Sequence, residues 1–298
     1  MREDGEHLSA NERHEKITAP DVLAMKGERR IVMVTAYDYP TAGAAEAADL
    51  DMILVGDSLG MIVLGYESTV PVTMADMIHH TKAVMRGVEH VHVTSDLPFM
   101  SYQVSESQAV ENAGRLMKEA GADSVKLEGG QAMAGRIAAI VAAGIPVVGH
   151  IGLTPQSVSA LGGHRVQGRS LEAARAIIAD AEAVEDAGAF AVVLEAVPRK
   201  LAEIITARLS IPTIGIGAGP FCDGQVLVNG DLLGLFDRFT PRFAKRYAEL
   251  SASMREAFDR FADEVRSGAF PEDEHGFSIP SAVLRQLEDE YGPGRESG

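Results

Sequence analysis

The segment EAGADSVKLEG, residues 119–129, carries the pattern that decides the fold. In this pattern the end of a helix leads through a small turn into a short apolar strand, and an acidic residue follows the strand. Two other segments show the same order, AADLDMILVGD at residues 47–57 and EDAGAFAVVLEA at residues 185–196. This recurrence indicates a chain built from repeated units of one strand and one helix.

Eight short apolar runs are predicted to be strands. Most are rich in Val and Ile and are flanked by Gly, Pro or Asp, which is typical of buried strands. Near-continuous apolar strands favour a parallel sheet that is covered on both faces. The predicted strands are residues 31–35, 52–55, 91–94, 124–127, 146–149, 191–194, 212–216 and, with the weakest pattern, 225–228.

The segments between the strands have helical signals. Residues 74–86 follow Thr73, and the run T-M-A-D is typical of an N-cap with an acid in the first turn. Residues 105–120 and 171–187 each end at a glycine, which is a C-cap signal, and residues 242–265 are predicted to form a long final helix. This alternation predicts an α/β protein with a (β/α)₈ TIM-barrel fold. A doubly wound open sheet is the alternative.

The composition excludes several functional classes. The chain has 298 residues, 27 Lys and Arg against 43 Asp and Glu, and a formal net charge of −16. Such a charge argues against a nucleic-acid or anionic-membrane partner. The single cysteine, Cys222, excludes an intrachain disulfide framework. The polar start of the sequence and the lack of an apolar run of about 18 residues predict a cytoplasmic protein without a membrane span.

The sequence divides into three predicted regions. Residues 1–16 form a polar N-terminal extension, residues 17–279 form the barrel as the catalytic domain, and residues 280–298 form an acidic C-terminal tail.

Polar residues recur where the predicted strands end. In a parallel barrel these ends and the loops after them form the mouth of the active site. Carboxylates that converge there repel one another unless a divalent cation lies among them or one is protonated. Oxygen ligands without cysteine favour Mg²⁺ over Zn²⁺. The residues at this position are Asp57, Asp96, Glu128, His150 and Glu195, although each acid taken alone is also compatible with a helix cap or a turn.

Lys126 and Glu128 are two residues apart on one predicted strand. Residues at that spacing point to the same face, so both can face the barrel interior. A lysine in an apolar interior is costly unless it is paired. Lys126 could therefore bind a substrate carboxylate, or form a Schiff base if its pKa is lowered.

Six stretches of the sequence are more specific to a family than the composition is. In their residues and their order they resemble the ketopantoate hydroxymethyltransferase family over roughly residues 17–279. The stretches are VTAYDYPTA, LVGDSLGMIVLGYESTVPVTMADMIHHTKAV, SDLPFMSY, VKLEGG, GHIGLTPQSVSALGGHRVQGR and GIGAGPFCDGQVLV. The resemblance implies a (β/α)₈ barrel of the phosphoenolpyruvate/pyruvate type.

The resemblance also implies a reaction. Members of the family transfer a hydroxymethyl group from methylenetetrahydrofolate to 3-methyl-2-oxobutanoate (α-ketoisovalerate), with Mg²⁺ as cofactor. The products are 2-dehydropantoate (ketopantoate) and tetrahydrofolate, in the synthesis of pantothenate and coenzyme A.

Several positions match the metal site of the family. Asp57 of GDS and Asp96 of SDLP match direct metal ligands. Glu128 of KLEGG matches a third acidic residue, which acts through water. His150 of GHIG matches a residue beside the metal.

Other positions match the substrate site. Ser58 and Lys126 match residues that hold the keto acid, which is also expected to contact Asp57 and Asp96 through the metal. Glu195 of VLEAV matches the catalytic general base, which removes a proton from the keto acid.

The resemblance extends to partners and has one clear departure. The family implies a homo-oligomer, often a homodecamer. Folate is anionic, so Arg165 and Arg169 are candidates for binding it. His164 stands where the family pattern has Tyr or Phe, in a segment that is expected to cover the site.

Three other functions compete with this one. A magnesium-dependent lyase or mutase of the same barrel superfamily would share the acidic residues but need no folate. A Schiff-base aldolase would use Lys126 as its nucleophile. A non-enzymatic assembly protein would keep the barrel without its chemistry.

Overall fold

The computed structural model of the protein describes residues 15–163, 165–235 and 241–292. Eight parallel strands close into a barrel in which each strand pairs with its neighbours in the sequence and β8 pairs with β1. The predicted (β/α)₈ barrel is confirmed, and the open doubly wound sheet is wrong because the last strand closes on the first. The strands are β1 Ile31–Thr35, β2 Met52–Val55, β3 His92–Asp96, β4 Ser124–Glu128, β5 Val147–Gly152, β6 Ala191–Glu195, β7 Thr213–Ile216 and β8 Gly224–Leu227.

Helices connect the strands, and short helices also extend some of the loops. The described part of the chain contains no helix that is long and apolar enough to cross a membrane. The helices are α1 Ala19–Ala24, α2 Tyr39–Ala47, α3 Leu59–Ile62, α4 Met74–Met85, α5 Glu106–Arg115, α6 Ala134–Ala142, α7 Val158–Leu161, α8 Leu171–Asp186, α9 Arg199–Arg208, α10 Asn229–Leu232, α11 Leu250–Ser267 and α12 Ser281–Tyr291.

Two layers of apolar side chains hold the barrel together. Alternate residues of β2 separate into them: Ile53 and Val55 belong to the larger core, whereas Met52 and Leu54 join a second cluster with residues of α1. This division follows from the two-residue period of a strand. Because both faces of most strands are buried, most strands are near-continuous apolar runs. The strands β3 and β4 differ, since alternate residues on one face of each are polar.

The predicted helix ends follow from local hydrogen bonding. The side chain of Thr73 accepts a hydrogen bond from the backbone N–H of Asp76 and caps α4. Gly121 and Gly188 adopt left-handed backbone conformations, with φ of +83° and +91°, after the helices that precede them. The predicted helix 105–120 differs in one respect, because its last turn, Leu116–Ala120, is π-helical.

The predicted final helix, residues 242–265, begins in the wrong place. The helix α11 starts only at Leu250 and ends at Ser267, before Gly268 in the left-handed conformation. The residues before α11 make other hydrogen bonds. The backbone N–H of Tyr247 donates to the carbonyl of Leu232 rather than to a carbonyl one helical turn earlier. A contact outside the segment therefore overrides its helical pattern.

The described residues form two compact units that divide between Ala248 and Glu249. The first contains the barrel, and the second contains α11 and α12. The predicted region boundaries at residues 16 and 279 stay predictions.

Candidate active site at the barrel mouth

The closed barrel collects the predicted site residues at one end. Asp96, Glu128 and Glu195 are the last residues of β3, β4 and β6, and Asp57 follows the end of β2 by two residues. His150 lies inside β5, because this strand runs to Gly152 and is longer than predicted. The carboxyl ends of all parallel strands lie at the same mouth, and so the structure brings these five side chains together.

Lys126 lies among the carboxylates rather than among the apolar side chains. Its neighbours Val125 and Leu127 belong to the larger core, and Lys126 itself is buried. Its Nζ lies 2.8 Å from Oδ1 of Asp96 and 3.3 Å from Nδ1 of His150. Burial alone would lower the pKa of Lys126, but the charges of the surrounding carboxylates outweigh burial and raise it. Lys126 is therefore an ammonium, which disfavours the Schiff-base hypothesis because that chemistry needs a neutral amine.

His150 links two of the acids. Its Nδ1 lies 3.5 Å from Oε1 of Glu128, and its Nε2 lies 3.1 Å from Oε2 of Glu195. Burial and the charge of Lys126 act to lower the pKa of His150, but the contacts with the two carboxylates outweigh them and raise it to about 9. The imidazole is therefore a cation at neutral pH and pairs with both carboxylates.

Asp57 and Asp96 form the most crowded part of the cluster. The backbone N–H of Asp57 donates to Oδ2 of Asp96 over 3.1 Å, and both side chains are buried. Burial, together with the charges of Asp96 and Glu128, raises the pKa of Asp57 well above its usual range. Burial also raises the pKa of Asp96, against the opposing charge of Lys126. The positive charge around Asp57 and Asp96 is therefore too small to balance their two carboxylates.

The donor set fits a divalent cation. Among the described residues, four carboxylates share the site with two cationic side chains, and Oδ1 of Asp96 makes an ion pair but no hydrogen bond of suitable angle. Within the described ranges, no three His, Cys, Asp or Glu side chains are placed to hold one metal ion together. Mg²⁺ commonly binds one or two protein carboxylates and completes its shell with water and substrate. Asp57 and Asp96 can supply that pair.

Three residues that the sequence analysis did not assign also belong to the site. The hydroxyl of Tyr37 lies 2.8 Å from Oγ of Ser58, which places Ser58 beside Asp57 at the mouth. Gln156 hydrogen-bonds to Asp57 and Tyr102 over 2.9 Å and 2.7 Å. These residues follow β1, β3 and β5, so the rule that singled out the acids could have found them if it had included neutral polar side chains.

The residues predicted to bind folate lie at the surface, unlike the buried cluster at the mouth. Arg165 and Arg169 are exposed and lie on the segment between α7 and α8. His164, the departure from the family pattern, lies outside the described residues.

The closed parallel barrel with charged residues at its carboxyl end defines a class, the (β/α)₈ barrels that carry a polar site at the carboxyl ends of their strands. Solved structures with this fold include a phosphonopyruvate hydrolase, with a TM-score of 0.58, 15% identity, and coverage of 93% of this chain and 99% of that one. Another is 2,3-dimethylmalate lyase, a member of the PEP mutase/isocitrate lyase superfamily, with a TM-score of 0.58, 16% identity, and coverage of 92% and 93%. At these identities the similarity shows the fold alone.

The protein family of this chain follows from sequence similarity. The model of ketopantoate hydroxymethyltransferase matches residues 16–273. The 3-methyl-2-oxobutanoate hydroxymethyltransferase of Moorella thermoacetica is 63% identical over 264 residues, which cover 88% of this chain and 98% of the relative. The enzyme of the same name from Enterococcus faecalis is 58% identical over 258 residues, with coverage of 87% and 94%. The chain belongs to the ketopantoate hydroxymethyltransferase family, and the predicted family is confirmed.

Proposed function

We propose that this protein transfers a hydroxymethyl group from methylenetetrahydrofolate to 3-methyl-2-oxobutanoate and forms 2-dehydropantoate and tetrahydrofolate. The observation that carries the proposal is the cluster at the mouth, where buried carboxylates, an ammonium and an imidazolium meet in a chain of this family. Such a cluster can hold a small anionic keto acid and move a proton from it. The reaction belongs to the synthesis of pantothenate and coenzyme A.

Asp57 and Asp96 are the proposed direct ligands of Mg²⁺, and Glu128 acts on the ion through water. A divalent cation held there would polarise the keto group and make the adjacent C–H bond more acidic. The carboxylate of Glu128 is held at the mouth, because its Oε2 accepts a hydrogen bond from the backbone N–H of Gln156 over 3.0 Å. The buried position of both aspartates keeps bulk water away from the ion.

Ser58 and Lys126 are the proposed contacts for the keto acid. The ammonium of Lys126 attracts the substrate carboxylate, and its ion pair with Asp96 fixes where that positive charge lies. The hydroxyl of Ser58 lies 2.8 Å from that of Tyr37, and either hydroxyl can be the donor. When Tyr37 donates, the hydrogen of Ser58 can bond to a carboxylate or keto oxygen. These two side chains approach the same space from β4 and from the loop after β2.

Glu195 is the proposed general base. Its side chain is 15% exposed, more than the buried acids beside it, so a substrate can reach it from the mouth. His150 holds the Glu195 carboxylate in place, and Glu195 takes the proton from C3 of the keto acid. Over the whole reaction, C3 bonds to the methylene carbon of methylenetetrahydrofolate, both C–N bonds of the methylene bridge break, and water supplies the new hydroxyl group. The proton taken by Glu195 and the second hydrogen of water go to the two nitrogens of the departing tetrahydrofolate. The reactive carbon comes from the co-substrate, so the protein needs no nucleophile.

Arg165 and Arg169 are the proposed partners of the folate carboxylates. We further propose a cytoplasmic homo-oligomer, in the form of a homodecamer, without nucleic-acid or membrane partners, in agreement with the net charge of −16. Exchanging both arginines for glutamine should raise the KM for methylenetetrahydrofolate and leave the KM for the keto acid unchanged.

The test follows the C3 proton of 3-methyl-2-oxobutanoate by NMR in deuterated water. The protein is incubated with the keto acid, with and without Mg²⁺, before methylenetetrahydrofolate is added. We expect metal-dependent exchange of the C3 proton, followed by ketopantoate. Absence of both would refute the proposed reaction and would bring forward the lyase or mutase hypothesis, which requires no folate.

A further inference from the structure

The side chain of Gln156 stands out because all of its hydrogen-bonding capacity is used inside the acidic cluster. It is 4% exposed and lies in a short 3₁₀ helix, Pro155–Ser157, after β5. Its Nε2 donates to Oδ2 of Asp57 and to the carbonyl of Leu97, each over 2.9 Å. Its Oε1 accepts from the hydroxyl of Tyr102 over 2.7 Å and from Nε2 of Gln103 over 3.2 Å.

These four contacts leave one orientation for the amide. A side-chain amide has two N–H donors and two acceptor positions, and here each meets a partner of the opposite kind. Turning the amide over would set its oxygen against the carboxylate of Asp57 and the carbonyl of Leu97. The hydroxyl of Tyr102 accepts a hydrogen bond from the backbone N–H of Glu128 over 3.1 Å, and its single hydrogen has two acceptors within reach. These are Oε1 of Gln156 at 2.7 Å and the carbonyl of Glu128 at 3.1 Å, and the shorter contact is the one with Gln156.

Gln156 also reaches a second acid through its backbone. Its N–H donates to Oε2 of Glu128 over 3.0 Å. One residue therefore holds both Asp57, which is 99 positions away in the chain, and Glu128, which is 28 positions away. The two acids come from the ends of β2 and β4, and the contact with Leu97 attaches the same residue to the end of β3.

We propose that Gln156 is a positioning residue that sets Asp57 against Glu128 and thereby shapes the metal and keto-acid site. This inference rests on the proposed function. One oxygen of Asp57 is held by the amide, and the other oxygen is left for the ion. Residues that hydrogen-bond to a metal ligand typically change metal affinity by about 10- to 100-fold when they are lost.

The decisive variant is Gln156→Met, which keeps the length of the side chain with a slightly larger volume and removes its amide. The variant removes all four contacts of the amide and keeps the backbone contact with Glu128. Of the four lost contacts, the one with Asp57 involves a proposed metal ligand. We expect Mg²⁺ binding, measured by calorimetry without substrate, to weaken by about 10- to 100-fold. We also expect the KM for the keto acid to rise more than kcat falls, because the substrate is bound by the same cluster.

Two further variants complete the test. Tyr102→Phe removes the hydroxyl that holds the Gln156 amide and should weaken Mg²⁺ binding in the same direction by a smaller factor, even if Gln156→Met fails to fold. Gln131→Ala removes an exposed glutamine amide outside the cluster and should leave Mg²⁺ binding and KM unchanged. The proposal would be overturned if folded Gln156→Met bound Mg²⁺ as strongly as wild type does. If the methionine variant does not fold, Mg²⁺ binding of wild-type strength in Tyr102→Phe would overturn it. In either case Gln156 would have a packing role only.

The outcomes for the wild-type protein separate this inference from the proposed reaction. If wild type binds Mg²⁺ but makes no ketopantoate, the reaction is refuted and calorimetry still decides the role of Gln156. If wild type binds no Mg²⁺, the proposed metal site and the role of Gln156 are refuted together.

Discussion

The ion pair between Lys126 and Asp96 offers the strongest test of the electrostatics of the site. The two charged atoms are 2.8 Å apart, and the side chains are only 5% and 4% exposed. At an effective dielectric constant of about 20 their attraction is roughly 6 kcal/mol. Removing one partner of a buried pair typically costs about 3 to 5 kcal/mol, because the other charge stays buried without compensation. We therefore expect Lys126→Met to destabilise the barrel by about that amount.

The assay is thermal unfolding followed by far-UV circular dichroism, in the presence of a chelator so that bound metal does not offset the loss. For a unit of this size a loss of 1 kcal/mol lowers Tm by about 2 to 4 °C, so the expected decrease is about 6 to 20 °C. The double variant Lys126→Met with Asp96→Asn should lose less than the two single variants together, by about 1 to 3 kcal/mol. Lys200→Met, which breaks the exposed pair with Glu203, should cost at most about 1 kcal/mol.

The pH dependence gives a second, independent readout. Burial raises the pKa of Asp96 in the folded protein, and removing Lys126 raises it further because that ammonium opposes the effect. A group with a raised folded-state pKa stabilises the fold below that pKa and loses the contribution as the pH rises. The loss of stability caused by Lys126→Met, measured against wild type at each pH, should therefore grow as the pH rises through the raised pKa of Asp96. The reasoning would be refuted if the stability losses of the two single variants added up to the loss of the double variant, and if the loss in Lys126→Met did not change with pH.

Three other predictions address the chemistry and the geometry of the site. Glu195→Gln should slow exchange of the C3 proton by about 10²- to 10⁴-fold while sparing Mg²⁺ binding, and unchanged exchange by NMR would remove Glu195 as the base. Asp57→Ala or Asp96→Ala should weaken Mg²⁺ binding by more than about 100-fold in calorimetry, and wild-type affinity in either variant would contradict the ligand assignment. Gly152→Ala should cost about 2 to 5 kcal/mol in denaturant unfolding, because φ is +92° and the new Cβ would collide with the backbone carbonyl of Glu195. Gly144→Ala is its control: φ is +83° but no atom lies within 4 Å, so only backbone strain of about 1 to 2 kcal/mol is expected, and equal losses in the two variants would argue against the collision.

The strand pattern made much of the barrel predictable. The period of two residues assigned Lys126 and Glu128 to one face, and in the structure Val125 and Leu127 lie in the larger core on the other side. The same local reasoning worked for the helix cap at Thr73, because a cap depends on residues close in sequence. Predictions of this kind succeed when the interaction that decides the structure spans only a few residues.

Other features depend on contacts that no local pattern encodes. The start of α11 is delayed because Tyr247 bonds to Leu232, a residue outside the predicted helix. The role of Gln156 depends on Asp57, which is 99 positions away. The sequence placed Gln156 in a recognisable motif but contained no signal for its partner.

Residue type and spacing were enough to predict the eight strands, the family and the acids that follow the strands. The pairing of these side chains is visible only in the folded protein: Lys126 pairs with Asp96, and His150 pairs with both Glu128 and Glu195. The physical reason is that the energy of a charge depends on its burial and on its distance from other charges. Both quantities are defined only after the barrel closes and brings the ends of distant strands to one mouth.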